Sequence, residues 1–474
     1  MELLDQSALS LSSALEQGKI SAVELMQLTL ARIGQVNGDL NAIVLLRDAD
    51  ALMAEAQAAD TAERKGWLHG IPIAIKDIAN AKGLKTTMGS PIFADTVAMS
   101  DDLMIGRLRD AGALIIGKTN TPEFGLGSHT YNPVHGITRN PYDKSKSCGG
   151  SSGGAAVALA TGMLCVADGS DMMGSLRNPA GWNNVYGMRP TWGSVPFEPA
   201  GDLFMHQLST SGPMARSPAD LAALADTMTG SDKALPLSRT LSAAAPLLAT
   251  RPKRQRIGYL GDWGGAFPFE PGIAEVSETA LRQMEDMGHG VENVPPPFDV
   301  DAMWDSWITL RSFAVAAGSH LLYENPEHRA LLKPAAIWEI ERGMKLSAMD
   351  VHRASLIRSD WYRRATELFD TYDMLVLPSA QSWPFDAEID YPKEIAGVQM
   401  DTYHRWMQVV VPASLIGIPV VNIPAGFGRN GLPAGLQMMG PRTSDARLLQ
   451  FANEWHSTTN WPGKRPPSLV KGPN

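Results

Sequence analysis

Apolar residues recur along this chain at two different spacings. Met26, Leu30 and Ile33 follow one another at helical intervals after Ser21-Ala22-Val23-Glu24, a capping box whose hydroxyl and carboxylate would satisfy the first free amides of a helix. A second helix is predicted from near Pro271, with Val276, Ala280, Leu281 and Met284 on one side and Gly288 as its C-terminal cap. Between such helices lie short apolar runs, Ile71 to Ile75, Ala113 to Ile116, Ile257 to Leu260 and Met374 to Leu377. These have the length and composition of buried strands. The alternation predicts an α/β protein, with a mostly buried sheet covered by helices on both faces.

The longest uncharged run, Trp406 to Gly428, has the length to span a bilayer. Pro412, Pro419 and Pro424 would break a helix through it, so it is expected to form buried strand and turn, with Val420 to Ile423 as the strand. An Ala, Ser, Pro and Arg rich stretch at about 230–255 reads as a surface linker, and Pro295-Pro296-Pro297 as a second exposed connection. No internal repeat or low-complexity tract interrupts the pattern.

Composition narrows the function classes. The 474 residues are 44% apolar and 19% charged, enough for a large core, and the formal net charge of -9 argues against nucleic acid as a partner. The chain opens on Met1-Glu2-Leu3-Leu4-Asp5-Gln6 rather than on a basic and then apolar leader. A cytoplasmic protein is expected, with Cys148 and Cys165 as reduced thiols, and no membrane contact.

The chemistry is concentrated in Cys148-Gly-Gly-Ser-Ser-Gly-Gly154, an Ala-rich helical segment, and Asp168-Gly-Ser-Asp-Met-Met-Gly-Ser-Leu-Arg-Asn-Pro-Ala180. Two adjacent glycine-rich loops hold main-chain amides close to something, as an oxyanion or a phosphate requires. Phosphate binding is disfavoured, because neither a Walker lysine motif nor G-x-G-x-x-G after a strand occurs. Gly149-Gly150-Ser151-Ser152-Gly153 fits G-x-S-x-G, but that nucleophile elbow needs a preceding strand and Asp143-Lys-Ser-Lys-Ser147 is polar and charged. Ser468 and Lys471 form an S-x-x-K in a Pro-rich tail, which reads as coincidence.

The paired loops resemble the amidase signature family, whose pattern runs G-G-S-S-G-G and then, about two dozen residues on, D-x-G-G-S-[IV]-R-x-P-A. The resemblance includes the spacing from Ser151 to Ser175, then Arg177, Pro179 and Ala180, and the tail Gly187-Met-Arg-Pro-Thr-Trp-Gly193. Upstream, Gly70-Ile-Pro-Ile-Ala-Ile-Lys-Asp77 is similar to the family segment that supplies a catalytic lysine. Gly117-Lys-Thr-Asn-Thr-Pro-Glu-Phe124, Leu40-Asn41-Ala42 and Pro424 through Gly440 extend the likeness, which is weakest from about 295 to 370. It implies one domain over residues 1–474, a large mixed twisted β-sheet sandwiched between α-helices. A variable, mostly helical pocket region is expected at about 295–405.

The resemblance also implies roles. Ser175 would be the nucleophile, Lys76 the base, and Ser151, in a cis peptide, the bridge between them. Chemistry supports the assignment: a serine hydroxyl is a weak nucleophile until a base takes its proton. An ammonium cannot do so, so Lys76 must be held neutral by burial or by neighbouring positive charge. A hydroxyl both donates and accepts, so Ser151 can relay the proton. Backbone amides of Met172, Met173, Gly174 and Ser175 would form the oxyanion hole, each donor worth about 3–4 kcal/mol. Gly125, Leu126, Gly127 and Trp192 are candidates for substrate contact, while Asp171 and Arg177 are expected to pair and shape the loop.

Two positions depart from the pattern. Met173 stands where the family has the first glycine of G-G-S, and Asn184 where a glycine is usual; a positive φ at Met173 would strain it. The two methionines could line an adaptable pocket, although methionine is commoner as core filler. The expected protein is a C–N hydrolase working through an acyl-enzyme on Ser175, with no cofactor and no metal. Its substrate would be a small apolar or aryl amide, with esters and carbamates (urethanes) open to the same chemistry, and it would be a monomer or homodimer. Trp182, Trp192 and Phe204 favour this reading over the alternative, an amidotransferase subunit feeding ammonia from Gln or Asn to a partner-bound substrate. A dead binding protein is disfavoured because Lys76, Ser151 and Ser175 are all present.

Overall fold

All four short apolar runs become strands. The computed structural model describes residues 3–466, which leaves Ser468 and Lys471 outside the described residues. Pro72–Lys76 and Leu114–Thr119 run parallel, and Ile43–Val44 joins the latter antiparallel, as a three-stranded sheet. Arg256–Tyr259 and Met374–Pro378 belong instead to an eight-stranded sheet, in the order Gly290–Asn293, Arg256–Tyr259, Met374–Pro378, Pro433–Met439, Val420–Phe427, Tyr186–Arg189, Thr210–Ala215 and Val166–Asp171. The first three strands are mutually parallel and the remaining neighbours antiparallel, so the sheet is mixed, as expected.

The lysine-bearing strand thus lies outside the large sheet, where one sheet was expected. The two sheets are tied at Val166–Asp171, the edge strand of the larger, by a side chain: Lys76 N donates to Asp168 Oδ1 at 3.0 Å. A carboxylate thereby takes the amide that ladder pairing would otherwise have used.

Helix ends follow local chemistry with one difference. Helix Ala22–Leu40 is capped by Ser21, whose hydroxyl accepts from Glu24 N. The amides of Ala22 and Val23 go to the carboxylate of Asp60 on the neighbouring helix Ala49–Thr61, and no bond from Ser21 N to Glu24 closes the box. Helix Ile273–Asp286 buries Ile273, Ala280, Leu281 and Met284 and is followed by Gly288 at φ +97°.

The uncharged run is more helical than its prolines suggested. Before strand Val420–Phe427 come a 3-10 turn, Arg405–Val410, and a short helix, Val411–Ile416. Pro412 sits in the first turn of that helix, where its missing N–H costs nothing. No described helix is long and apolar enough to cross a membrane. Cys148 and Cys165 are buried free thiols, both pushed up to about 12 by burial.

Helices Val300–Glu324 and Ala348–Phe369 supply Trp304, Trp307 and Trp361 to an apolar cluster that also holds Met173 and Trp406. Opposite them, every residue of helix Gly153–Ala160 is buried. A Cβ at Gly154 would lie 2.3 Å from Asn120 N and 2.5 Å from Ala42 O, both backbone atoms. Helix propensity alone would favour alanine there by about 1 kcal/mol. Contact wins, and Gly154→Ala is expected to destabilise by at least about 1–3 kcal/mol in urea unfolding. A stabilised Gly154→Ala protein would contradict this packing.

Candidate active site

Strand Pro72–Lys76 is buried along its whole length and delivers Lys76, only 1% exposed, to the start of helix Gly153–Ala160. Its Nζ lies 2.8 Å from Ser151 Oγ, 2.9 Å from Ser152 Oγ and 3.0 Å from Ser170 Oγ. Burial pushes this amine down to about 7, against the opposing pull of the Asp168 and Asp171 carboxylates. Burial also raises Asp168, to about 6. Both shifts favour the uncharged forms.

A neutral amine has two N–H donors and one lone pair, whereas three hydroxyl oxygens surround Nζ. One hydroxyl must therefore donate to the amine when it is neutral. Ser152 Oγ also reaches Ser170 O, at 3.4 Å, giving its own proton a second acceptor. Ser151 has no such alternative among the described residues, and its hydroxyl opens on a cavity. The Gly150–Ser151 peptide is cis, as the family resemblance implies.

That cavity, of about 90 Å3, brings Ser151 and Ser175 together with Ser170 in one lining. Gly125, Leu126 and Gly127 lie on its wall as expected, and so do Met172 and Met173. The adaptable-pocket reading of the methionine pair therefore has a structural basis, although Met173 is packed into the apolar core as well. Trp192 is not there. It lines two other cavities, as Phe204 lines one of them, and Trp182 packs against Phe385 and Trp406. The aromatic residues singled out by sequence proximity thus lie outside the lining of the serine cavity, Trp192 and Phe204 beyond strand Tyr186–Arg189 and Trp182 before it.

The loop between Asp171 and Arg177 is fixed by a buried carboxylate. Arg177 makes a two-pronged contact with Asp171, Nε to Oδ2 and Nη2 to Oδ1, each 2.9 Å. Arg189 adds a second guanidinium at 3.4 Å. Burial opposes ionisation of Asp171, but Arg177 and Arg189 hold its carboxyl well below the usual carboxylate range. The same two oxygens accept from Gly174 N at 2.9 Å and Leu176 N at 3.1 Å. The Gly174 amide is consequently committed to Asp171. Of the four expected oxyanion donors, Met172, Met173 and Ser175 have no acceptor among the described residues.

Met173 escapes the strain foreseen for it. The left-handed conformation falls on Gly174, φ +83°, where a Cβ would also press on Val410 at 3.0 Å. Asn184 does take φ +57°, a region asparagine tolerates better than most residues.

Sequence reasoning missed three groups. Ser152 and Ser170 were available from pattern, since Asp168 and Ser170 occupy one face of a period-2 strand and both reach Lys76. Arg311 was not. It reaches the cavity from helix Val300–Glu324, where the resemblance is weakest. Its Nε donates to Glu339 Oε1 at 2.6 Å and its Nη2 to Tyr403 Oη at 2.7 Å, while Nη1 lies 3.3 Å from Met172 Sδ.

The Amidase family model matches residues 24–449. The chain is 32% identical over 471 residues to the acylamidase of Rhodococcus erythropolis, covering 97% of each. It is 31% identical over 500 residues to a glutamyl-tRNA(Gln) amidotransferase subunit from Chromohalobacter salexigens, covering 98% of each. The crystal structure of a bacterial aryl acylamidase of the amidase signature enzymes superposes with a TM-score of 0.88 at 28% identity, over 97% of this chain and 99% of that one.

Replacing Asp171 by asparagine leaves two buried guanidiniums uncompensated. A loss of about 3–5 kcal/mol is expected for Asp171→Asn in denaturant unfolding. A change below about 1 kcal/mol would mean that the loop does not depend on this carboxylate.

Proposed function

This chain belongs to the amidase signature family and is an amide-cleaving hydrolase, and on that premise we propose that it is an acylamidase of uncharged apolar or aryl amides, with Lys76, Ser151 and Ser175 as its catalytic residues. The observation that carries the substrate class is the state of Arg311. Among the described residues it is the one charged side chain in the lining of the serine cavity, and its charge is already met by Glu339, with Tyr403 and Met172 taking two more of its five N–H groups. No free charge remains in that lining to receive the carboxylate or ammonium of an amino acid. Ile78, Phe124, Leu126 and Met407 give the wall an apolar side, and its other polar side chains are the uncharged Ser151, Ser170, Ser175 and Ser209.

Room for larger substituents lies on either side. A cavity of about 400 Å3 shares Leu126 and Gly127 with the serine cavity and carries Tyr131, Trp338, Tyr403 and Trp406 beside Lys333, Lys393, Asp390 and Asp401. Another, of about 430 Å3, shares Met172 and Ser209. In this reading the acyl and amine parts of the substrate extend into these spaces, with the scissile carbonyl at the serines. An aromatic wall suits an aryl group by offset or edge contact.

The proposed reaction begins with neutral Lys76 taking the proton of Ser151 as Ser151 takes that of Ser175. Ser175 Oγ attacks the carbonyl carbon, and the amides of Met172, Met173 and Ser175 receive the oxyanion. Collapse breaks the C–N bond, and the proton held by Lys76 returns through Ser151 to the departing amine. Water then attacks the acyl-enzyme by the same relay and frees the acid. Ester and carbamate carbonyls fit the same sequence of steps.

The similarity to an amidotransferase component supports a second reading, in which ammonia from glutamine passes to a partner-bound acceptor. The chain alone is expected to release an aromatic amine from a simple anilide, measured by absorbance. Ammonia release from glutamine only in the presence of a partner would reverse the ranking. Ser175→Ala is expected to lower kcat by about 10⁴-fold or more with the fold retained, and Ser151→Ala and Lys76→Ala to cripple acylation. Near-normal turnover in Ser175→Ala would remove the assignment.

The pH dependence follows from the direction of the Lys76 shift. Lowered to about 7, the amine is unprotonated above that value and charged below it. Anilide kcat/KM should therefore rise through pH near 7 and level off above it, and a flat profile from about pH 5 to 10 would exclude Lys76 as the base.

A further inference from the structure

A cavity of about 550 Å3 is walled by helix Val300–Glu324, helix Ala348–Phe369, the segment 204–208 and the turn at Gly417. Its lining includes Arg358, Arg363 and Arg442 and, among the described residues, not one aspartate or glutamate. In a chain of net charge -9 this is a local reversal of sign. None of its lining residues belongs to the serine cavity.

The arginines differ in how their charge is met. Arg363 pairs with Asp360. Arg358 has a single long contact, Nη2 to Gln207 O at 3.5 Å. Arg442 has no hydrogen bond or ion pair among the described residues, and its Nε is buried without a partner. Arg239, close behind, also has a buried, unpartnered Nε. Burial and the positive neighbour Arg442 lower both Arg358, to about 10, and Arg239. The nearby carboxylate of Asp445 is occupied by the amide and hydroxyl of Thr191.

Partly desolvated guanidiniums that repel one another and lack acceptors are costly, and an oxyanion between them would recover that cost through charge-assisted, forked hydrogen bonds. Hydroxyls of Ser355 and Tyr362 face the same space, and Trp192, Phe204 and Phe313 give it an aromatic side. We propose that this cavity is a second ligand site, which takes an anion on an aromatic body, its carboxylate or phosphate oxygens held by Arg358 and Arg442 and its ring laid against Trp192, Phe204 and Phe313.

Isothermal titration calorimetry of the purified chain with benzoate, phenyl phosphate and neutral benzamide tests the proposal, the first two probes separating a carboxylate ligand from a phosphate one. At least one anion is expected to bind about tenfold or more tighter than benzamide, with that advantage lost in Arg442→Gln and in Arg358→Gln. Without ligand, Arg442→Gln should melt no lower than the parent, because it removes an unpaired charge, and its hydrolysis of a neutral anilide should be unchanged. Equal affinity for benzamide and both anions, or anion binding that survives both substitutions, would overturn the assignment. A marked fall in the melting temperature of Arg442→Gln would show a structural arginine and overturn it equally.

Discussion

A primary amine shut away from water and surrounded by three hydroxyls is the constraint around which this structure is organised. Lys76 can be accommodated there because burial favours its neutral form and the hydroxyls of Ser151, Ser152 and Ser170 satisfy its hydrogen bonding in either protonation state. Each neighbour comes from a different local decision: the apolar run that makes a fully buried strand, the glycine-rich turn that opens a helix, and the edge strand that turns alternate side chains inward. The carboxylate of Asp168 fastens the first of these to the last through backbone rather than through the ammonium, so the two sheets stay joined whichever form the amine takes.

The second requirement is a loop that keeps its shape without regular hydrogen bonding. Asp171 meets it by receiving two guanidinium contacts and two main-chain amides at once. Because Gly174 N is one of those amides, the carboxylate that organises the loop also takes one of its main-chain donors. Rigidity and number of free donors are in opposition here, and the amides of Met172, Met173 and Ser175 are left without an acceptor among the described residues.

The strands were legible because alternation and the bounds of an apolar run are local rules, whereas Lys76, Ser151 and Ser175 were singled out by the motif resemblance, and the structure brings Lys76 to Ser151 and Ser151 to the cavity that Ser175 lines. The capping of helix Ala22–Leu40 was half legible, since Ser21 is local but Asp60 arrives from another helix. The short helix at Val411–Ile416 was misread because a proline in a first turn looks, in sequence, like a proline that breaks a helix. Trp192 lines the cavity of about 430 Å3 beside the serines and not the serine cavity itself, because nearness along the chain said nothing about which side of the turn its ring would take. Arg311 lay beyond sequence reasoning altogether, 136 residues from Ser175 along the chain and inside helices whose pattern records only amphipathicity.

Helix Gly153–Ala160 is buried throughout and is met at Gly154 by the main chain of Asn120 and Ala42. A methyl group added at Gly154 therefore has nowhere to go. Met172 and Met173 line the cavity and are unbranched, so exchanges there alter its shape, within the limits of Met173's core packing and Met172's contact with Arg311. New substrate preferences in descendants of this chain would accordingly be acquired through exchanges at the methionines and along the tryptophan-bearing helices. The serine-bearing segment would be inherited unaltered.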